Sequence, residues 1–236
     1  MNNCIFHDCT VNGKPLATYG GAALLDYTIG ETPLDVTTFQ GINRTSWNLL
    51  KNMFSMREIT LTVVFEGPDL REAKRNRSAL NGVLFDKVDL FIPDDGFHYA
   101  VICTGTGAET LIGQGNKTAQ IKSTYTFKGV RHDEQKTVTL APGANLYCLS
   151  TMPLTDCRLT ATVGASAPTY QLGGAVFSSV SAGDVLVFDG IDGKITRNGA
   201  NYAGNVSWVE FPSIVPGWNA VTCPDTVTVE YEPTYI

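Results

Sequence analysis

The feature that most limits what this chain can fold into is strict alternation of apolar and polar residues, interrupted at short intervals by turn dipeptides. In "EITLTVVF", Ile59, Leu61, Val63 and Phe65 fall on one side and mostly polar residues on the other. Successive side chains of an extended backbone point to opposite faces, so this period of two predicts a strand with one covered face. "AQIKSTYTFKGV" repeats the pattern over a longer span, with Ala119, Ile121, Tyr125 and Phe127 inward and Gln120, Lys122, Thr124 and Lys128 outward. "TVTVEY" (226–231) alternates again, whereas "DVLVF" (184–188) is a continuous apolar run, as expected of a strand buried on both sides. Asp95-Gly96, Asp192-Gly193 and Asn198-Gly199 separate such runs and are candidates for type I′ hairpin turns.

A single segment has the other period. In "GPDLREAKRNRSALNGVLFDK", Asp69 is placed to cap a helix N-terminus and Glu72 to close a capping box three residues on. Leu70, Ala73, Leu80, Val83 and Leu84 then form one apolar stripe at helical spacing, with Lys74, Arg75 and Arg77 on the other side, read as a solvated face with a phosphate or partner contact as the alternative. Near "VRHDEQK" (130–136) the character changes: the remaining hundred or so residues are rich in Gly, Ser and Thr and carry no helical signal. The expected fold class is therefore mainly β, an α+β domain with one helix over residues 1–135 followed by an all-β sandwich over 136–236.

Composition narrows the function. Charged residues make up only 17% of the 236 residues, below the roughly 25% usual for soluble domains, which fits a surface covered by partners. A net charge of −6 argues against a nucleic-acid binder, since phosphate recognition needs a concentrated basic footprint. The first residues, "MNNCIFHDCT", have neither a basic nor an apolar leader region, so a secretory signal is not expected and synthesis in a cytosol is. No apolar run reaches the roughly 20 residues that span a bilayer. The six cysteines, at 4, 9, 103, 148, 157 and 223, are irregularly spaced and are expected to be free thiols. Cys4, His7 and Cys9 resemble half a metal site without a second ligand pair, so no metal or cofactor is expected.

Catalytic patterns are absent: there is no G-x-S-x-G elbow, no H-E-x-x-H and no phosphate-binding loop. His98 lies near Asp94 and Asp95 in "PDDGFHY", where an Asp-Gly turn accounts for the same residues. Asp184, Asp189 and Asp192 do not have calcium-loop spacing. In "WVEFPSIVPGWNAV", Pro216-Gly217 supplies a type II turn and Pro212 stops a strand, so Trp208 and Phe211 read as core residues at a strand end. No catalytic residue is assigned, and the chain is not expected to be an enzyme.

Several motifs taken together carry a family resemblance. "DGKITRNG", a following Trp, "FPSIVPGWNAV" and "TVTVEYEPTYI" close the chain, while "MREITLTVVFEG", "REAKRNRSALNGVLF" and "DLFIPDDGFHYAV" follow one another in the first half. This order resembles that of siphophage distal tail proteins along nearly the whole chain. The resemblance implies a structural baseplate-hub protein of a phage or prophage tail. Its N-terminal belt domain would assemble into a hexameric ring at the tip of the tail tube, and a galectin-like sandwich would project from it. Implied partners are the major tail (tube) protein, the tail-associated or fibre-hub protein, the tape measure protein and, in larger baseplates, receptor-binding proteins. Its implied place is the virion tail tip, assembled in the host cytoplasm. The second half alone also admits a carbohydrate-binding module for host adhesion, which leaves the helix-bearing half unexplained.

The segment "TTFQGINRTSWNLLKNMFSMRE" (37–58) follows neither period and is rich in apolar groups. Arg44, Trp47, Leu49, Met53, Phe54 and Met56 are accordingly expected to form an inter-subunit contact, rather than a loop packed on its own domain, because large exposed apolar patches mark interfaces and Trp and Arg are enriched among their anchors.

Overall fold

The computed structural model describes residues 6–40, 47–115 and 117–236, with residue 40 and residues 47–52 given by backbone alone. The fold is mainly β: antiparallel strands dominate, with one α-helix among the described residues. The chain divides into two compact units, Met1–His132 with the terminal Ile236, and Asp133–Tyr235.

In chain order the first unit contains β1 (Thr10–Val11), β2 (Lys14–Pro15), β3 (Ala23–Ile29), β4 (Leu34–Gln40), β5 (Trp47–Phe54), β6 (Arg57–Gly67), α1 (Leu70–Val83), β7 (Val88–Ile92), β8 (Phe97–Thr106), β9 (Thr110–Gln114) and β10 (Ala119–His132). Its main sheet runs β2-β1-β7-β8-β10-β6-β3, with β9 also pairing β10. The fourteen-residue β10 is the backbone of that sheet. It pairs with β6 from Ala119–Gly67 to Gly129–Arg57 on one side, and with β8 and β9 on the other. The alternation expected of these two strands is what the structure has: Ile59, Leu61, Val63 and Phe65 on β6, and Ala119, Ile121, Tyr125 and Phe127 on β10, are all buried. At ~25 cal/mol per Å² of apolar surface, such a double row is the main stabilising term of the unit.

At Gly129 the approach of β8 to β10 leaves no room for a side chain. The glycine stands opposite Val101 in the register, and a Cβ there would fall 2.2 Å from the Ala100 carbonyl oxygen. The helix covers one face of the sheet as its stripe requires. Ala73, Leu80 and Leu84 are buried in the first unit's core, and Leu70 and Val83 pack against it. Asp69 caps it by accepting a 2.9 Å hydrogen bond from the Glu72 amide, and Asn81 accepts one of 2.8 Å from the Tyr125 hydroxyl, tying helix to sheet.

The second unit continues with β11 (Lys136–Leu140), β12 (Asn145–Cys148), β13 (Thr155–Thr162), β14 (Ala167–Leu172), β15 (Ala175–Val180), β16 (Val185–Asp189), β17 (Lys194–Arg197), β18 (Ala200–Asn201), β19 (Val206–Ser207), β20 (Ser213–Ile214), β21 (Gly217–Ala220) and β22 (Val227–Tyr231). One sheet has the order β11-β22-β13-β16-β17-β18; the strands β14-β15-β19 and the pair β12-β21 form separate ladders. Leu159, Leu186, Phe188 and Val229 from the first meet Leu146, Leu172 and Phe177 from the others in one buried cluster. That is the packing of a β-sandwich.

Three local expectations need correction. The apolar run "DVLVF" is not buried on both sides, since Leu186 and Phe188 are fully buried while Val185 is 39% exposed. Its strand lies inside the sheet, and its second face is covered only in part, with Val187 half-buried and Asp189 buried. Of the three proposed type I′ turns, only Asn198-Gly199 has both residues at positive φ (51° and 79°). At Asp95-Gly96 and Asp192-Gly193 the glycine alone is left-handed, because these loops reverse more gradually. Asn12-Gly13 (51° and 71°), which joins β1 to β2, is a further I′ turn that the sequence reading passed over. The five cysteines among the described residues, all but Cys4, are free.

Candidate functional site

The segment expected to make an inter-subunit contact forms most of a two-stranded ribbon. β4 and β5 pair antiparallel from Leu34–Phe54 to Gln40–Trp47, and among the described residues no other strand pairs with either. The register slips between Thr37, opposite Lys51, and Thr38, opposite Leu49, leaving Leu50 as the extra residue of a bulge. That inserted residue inverts the alternation midway, which is why residues 37–58 show no clean period.

The ribbon is apolar and open. Leu34, Val36, Phe39 and Met53 are each about half exposed, as is Met56 in the link to β6. Phe54, the last residue of β5, is partly covered and stands opposite Leu34. An isolated two-stranded ribbon is marginally stable in water, and one with two bare edges and apolar faces is a template for association. Of the six residues singled out in the sequence, Met53, Phe54 and Met56 thus lie at or beside the base of the ribbon. Trp47 and Leu49 take backbone positions on β5, opposite Gln40 and Thr38, and Arg44 lies outside the described residues. Leu34, Val36 and Phe39 were missed as candidates. "PLDVTTF" does alternate over its first residues, but that signal falls largely before residue 37.

The base of the ribbon is held by a buried cation. Arg57, at the start of β6, is 2% exposed and donates 2.8 Å from Nη2 to the Thr32 hydroxyl. The Ser55 amide donates to the Pro33 carbonyl beside it at 2.8 Å. Burial, and then the like charge of Arg131, pull the Arg57 guanidinium below its ordinary pKa. Tyr99, whose hydroxyl donates to Asp95, is pushed up to about 12, mainly by burial and then by that carboxylate.

The same sheet brings together side chains far apart in sequence. His98 donates from Nδ1 to Asp89 Oδ2 at 2.8 Å, while His132 Nε2 lies 3.2 Å from Asp89 Oδ1. His98 is therefore not the partner of Asp94 or Asp95 considered from sequence; Asp94 takes His7 at 2.6 Å. With His7 on Asp94 and Cys9 buried with its Sγ 3.6 Å from the Thr10 carbonyl, the described members of the Cys4–His7–Cys9 half-site do not converge. Burial raises the Asp89 carboxyl, but the hydrogen bonds from His132 and His98 outweigh it and hold the group below the usual carboxylate range.

In the second unit the acidic residues are already engaged. Arg158 reaches Asp189 at 2.7 Å and both Asp192 and Glu230 at 3.4 Å, and Arg197 reaches Asp184 at 2.7 Å. The Trp/Pro stretch divides its aromatics. Phe211 packs against the core and lies 4.8 Å from the Trp208 ring, and Trp208 is 38% exposed, less buried than expected. Gly217 has the positive φ of 86° that a type II turn needs. Trp218, on β21, is 72% exposed and meets Tyr147 of β12 edge to face at 5.2 Å. No helix among the described residues is long and apolar enough to cross a membrane.

No protein-family model matches the chain, and no curated protein matches it in sequence. Solved structures do match in fold. The Dit protein of SPP1, a paradigm of the hub adsorption apparatus in phages infecting Gram-positive bacteria, superposes with a TM-score of 0.71 at 13% identity, over 98% of this chain and 100% of that one. A chain of the phage P2 baseplate in its activated conformation with calcium gives a TM-score of 0.53 at 9% identity, over 97% and 98% of the two chains. The corresponding baseplate with strontium gives 0.54 at 9% identity, over 96% and 97%. The fold of this chain, both units in order, is thus that of phage hub and baseplate components.

Proposed function

We propose that this chain is a distal tail protein, a structural and non-enzymatic hub of a siphophage or prophage tail tip. It builds a hexameric ring between the tail tube and the adsorption apparatus. The observation that carries this reading is the fold shared with the SPP1 Dit protein along nearly the whole of both chains, which a lone carbohydrate-binding sandwich would not give. The apolar ribbon supports it from the physical side, because a subunit with bare β edges and half-exposed Leu34, Val36, Phe39, Met53 and Met56 is built to be covered. On this reading the first unit, about residues 1–135, is the ring-forming belt. The ribbon residues, with Arg44, Trp47, Leu49 and Phe54, contact the neighbouring subunit, and the galectin-like second unit is the appendage. Its neighbours in the particle are the tube protein, the fibre-hub protein, the tape measure protein and receptor-binding proteins, after assembly in the host cytoplasm.

Native mass spectrometry and negative-stain microscopy of the full chain test this. Six-membered rings, in solution or in assembled particles, are the expected result. Monomers at every concentration together with monomers in particles overturn it.

One observation favours a second role for the sandwich. The exposed Trp218 with Tyr147 at its edge is an aromatic surface of the kind that stacks on sugar rings. Quenching of tryptophan fluorescence by host cell-wall polysaccharide, lost in Trp218→Ala, is the outcome that reading requires.

A further inference from the structure

Asp89, His98 and His132 are contributed by three neighbouring strands, β7, β8 and β10, and the sheet register itself sets their spacing. His98 and His132 are direct cross-strand partners. Asp89 lies two residues before Phe91, the partner of His98 on β7, and so shares the face of His98 at the diagonal position. One ligand atom from each residue, two imidazole nitrogens and a carboxylate oxygen, lies within 4.8 Å of the others.

We infer that this triad is a binding site for a zinc-class divalent cation, held by His98, His132 and Asp89 with a fourth position open to water. Four considerations support it. Zinc bonds to nitrogen and oxygen of about 2.0–2.2 Å place two donors of a tetrahedron roughly 3.4 Å apart. The 2.8 Å and 3.2 Å separations across the carboxylate need only small side-chain adjustments to reach that value. Two imidazoles and one carboxylate are a donor set of intermediate softness, suited to zinc, nickel or cobalt rather than to calcium or magnesium. The ligands are also fixed from behind. The Phe91 ring stacks on His98 at 4.6 Å. The Asn12 side chain accepts from the Asp89 amide at 2.9 Å, and the Asn12 amide donates to the Asp89 carbonyl at 2.7 Å. Finally, the site is closed on one side and open on the other, with His132 10% exposed but His98 and Asp89 26% and 35% exposed. A cation has a way in, and water has room to complete its shell.

The existing hydrogen bonds do not oppose this. Loading a cation moves any proton on the two imidazole nitrogens that face Asp89 to the other nitrogen of the same ring or to solvent, and the metal takes its place, as deprotonated ligands require. The role is independent of ring assembly: a bound ion would tie β7, β8 and β10 together across the sheet.

Isothermal titration of chelator-stripped full-length protein with zinc chloride at pH 7.5, repeated with cobalt chloride and visible absorption, tests the site. One zinc per chain is expected, with a cobalt spectrum of low coordination number. His98→Ala should raise the zinc Kd by roughly tenfold or more, with the circular dichroism spectrum unchanged. His7→Ala, which removes the other well-separated histidine–carboxylate pair, should leave both readouts as in the unaltered chain. Absence of zinc binding by the unaltered protein overturns the proposal, as does undiminished binding by the folded His98→Ala variant or loss of binding in His7→Ala.

Discussion

Two antiparallel strand pairs of the first unit carry apolar residues of the same kinds and end in opposite conditions. β6 and β10 carry alternating apolar residues that sheet, helix and neighbouring strands cover almost completely: Ile59, Phe65, Tyr125 and Phe127 are all 1% exposed or less. β4 and β5 carry apolar residues of the same kinds, yet Val36, Phe39 and Met53 remain 47–57% exposed. Strand propensity is common to both pairs. What differs is what lies against each face. Burial is a property of what packs around a strand, and under the proposed function the half-bare ribbon is the part that a neighbouring subunit would cover.

Substitutions separate the two conditions. Phe127→Ala should cost about 3–5 kcal/mol, the range for truncating a buried aromatic, read as a fall in the urea midpoint of the first unit. Asp69→Ala should cost about 1 kcal/mol, because it removes the cap on α1 without opening the core. The paired change Val36→Ser and Phe39→Ser should shift stability by no more than about 0.5 kcal/mol, as for ordinary surface positions, while abolishing rings in native mass spectrometry. If that double variant instead unfolds as readily as Phe127→Ala, the ribbon is packed on its own unit and the contrast fails.

Thiol chemistry sharpens the contrast without altering the chain. Burial pushes the Cys9 and Cys157 thiols up to about 12, so at pH 8 almost none of either is the reactive thiolate. Cys103, on β8, is only partly covered. Of the five described thiols, Cys103 should react first with a disulfide reagent in the native protein. Cys9 and Cys157 should react only after denaturation, as followed by peptide mapping of the labelled chain. Rapid native labelling of Cys9 would mean the core of the first unit opens far more readily than its packing implies.

The contrast also explains what could be read in advance. β6, β10, β22 and α1 were legible because each holds one period over most of its length and one well-covered face enforces it. The ribbon was not, because the extra Leu50 inverts the alternation halfway along. "DVLVF" misled for a different reason: an apolar residue on the open face of a sheet, such as Val185, leaves the same trace as one in a core. The Asp89–His98–His132 triad left almost no signal. Its members lie nine and thirty-four residues apart along the chain, and only the pairing of β7, β8 and β10 joins them. Periodicity reveals which face of a strand is covered; it says nothing of which strand will be next to it.

The tight approach at Gly129 has a consequence on a longer timescale. Any side chain there would drive its first carbon to 2.2 Å from the Ala100 carbonyl oxygen and 2.6 Å from the Val101 side chain, a collision with backbone that no rotamer relieves. Where the fold persists across chains that share 13% of their residues, most positions drift freely, but this one is barred from drifting while β8 and β10 stay paired. Lineages that keep the sheet should keep the glycine. Aligning diverged relatives on it would fix the register of the two strands when overall similarity no longer does.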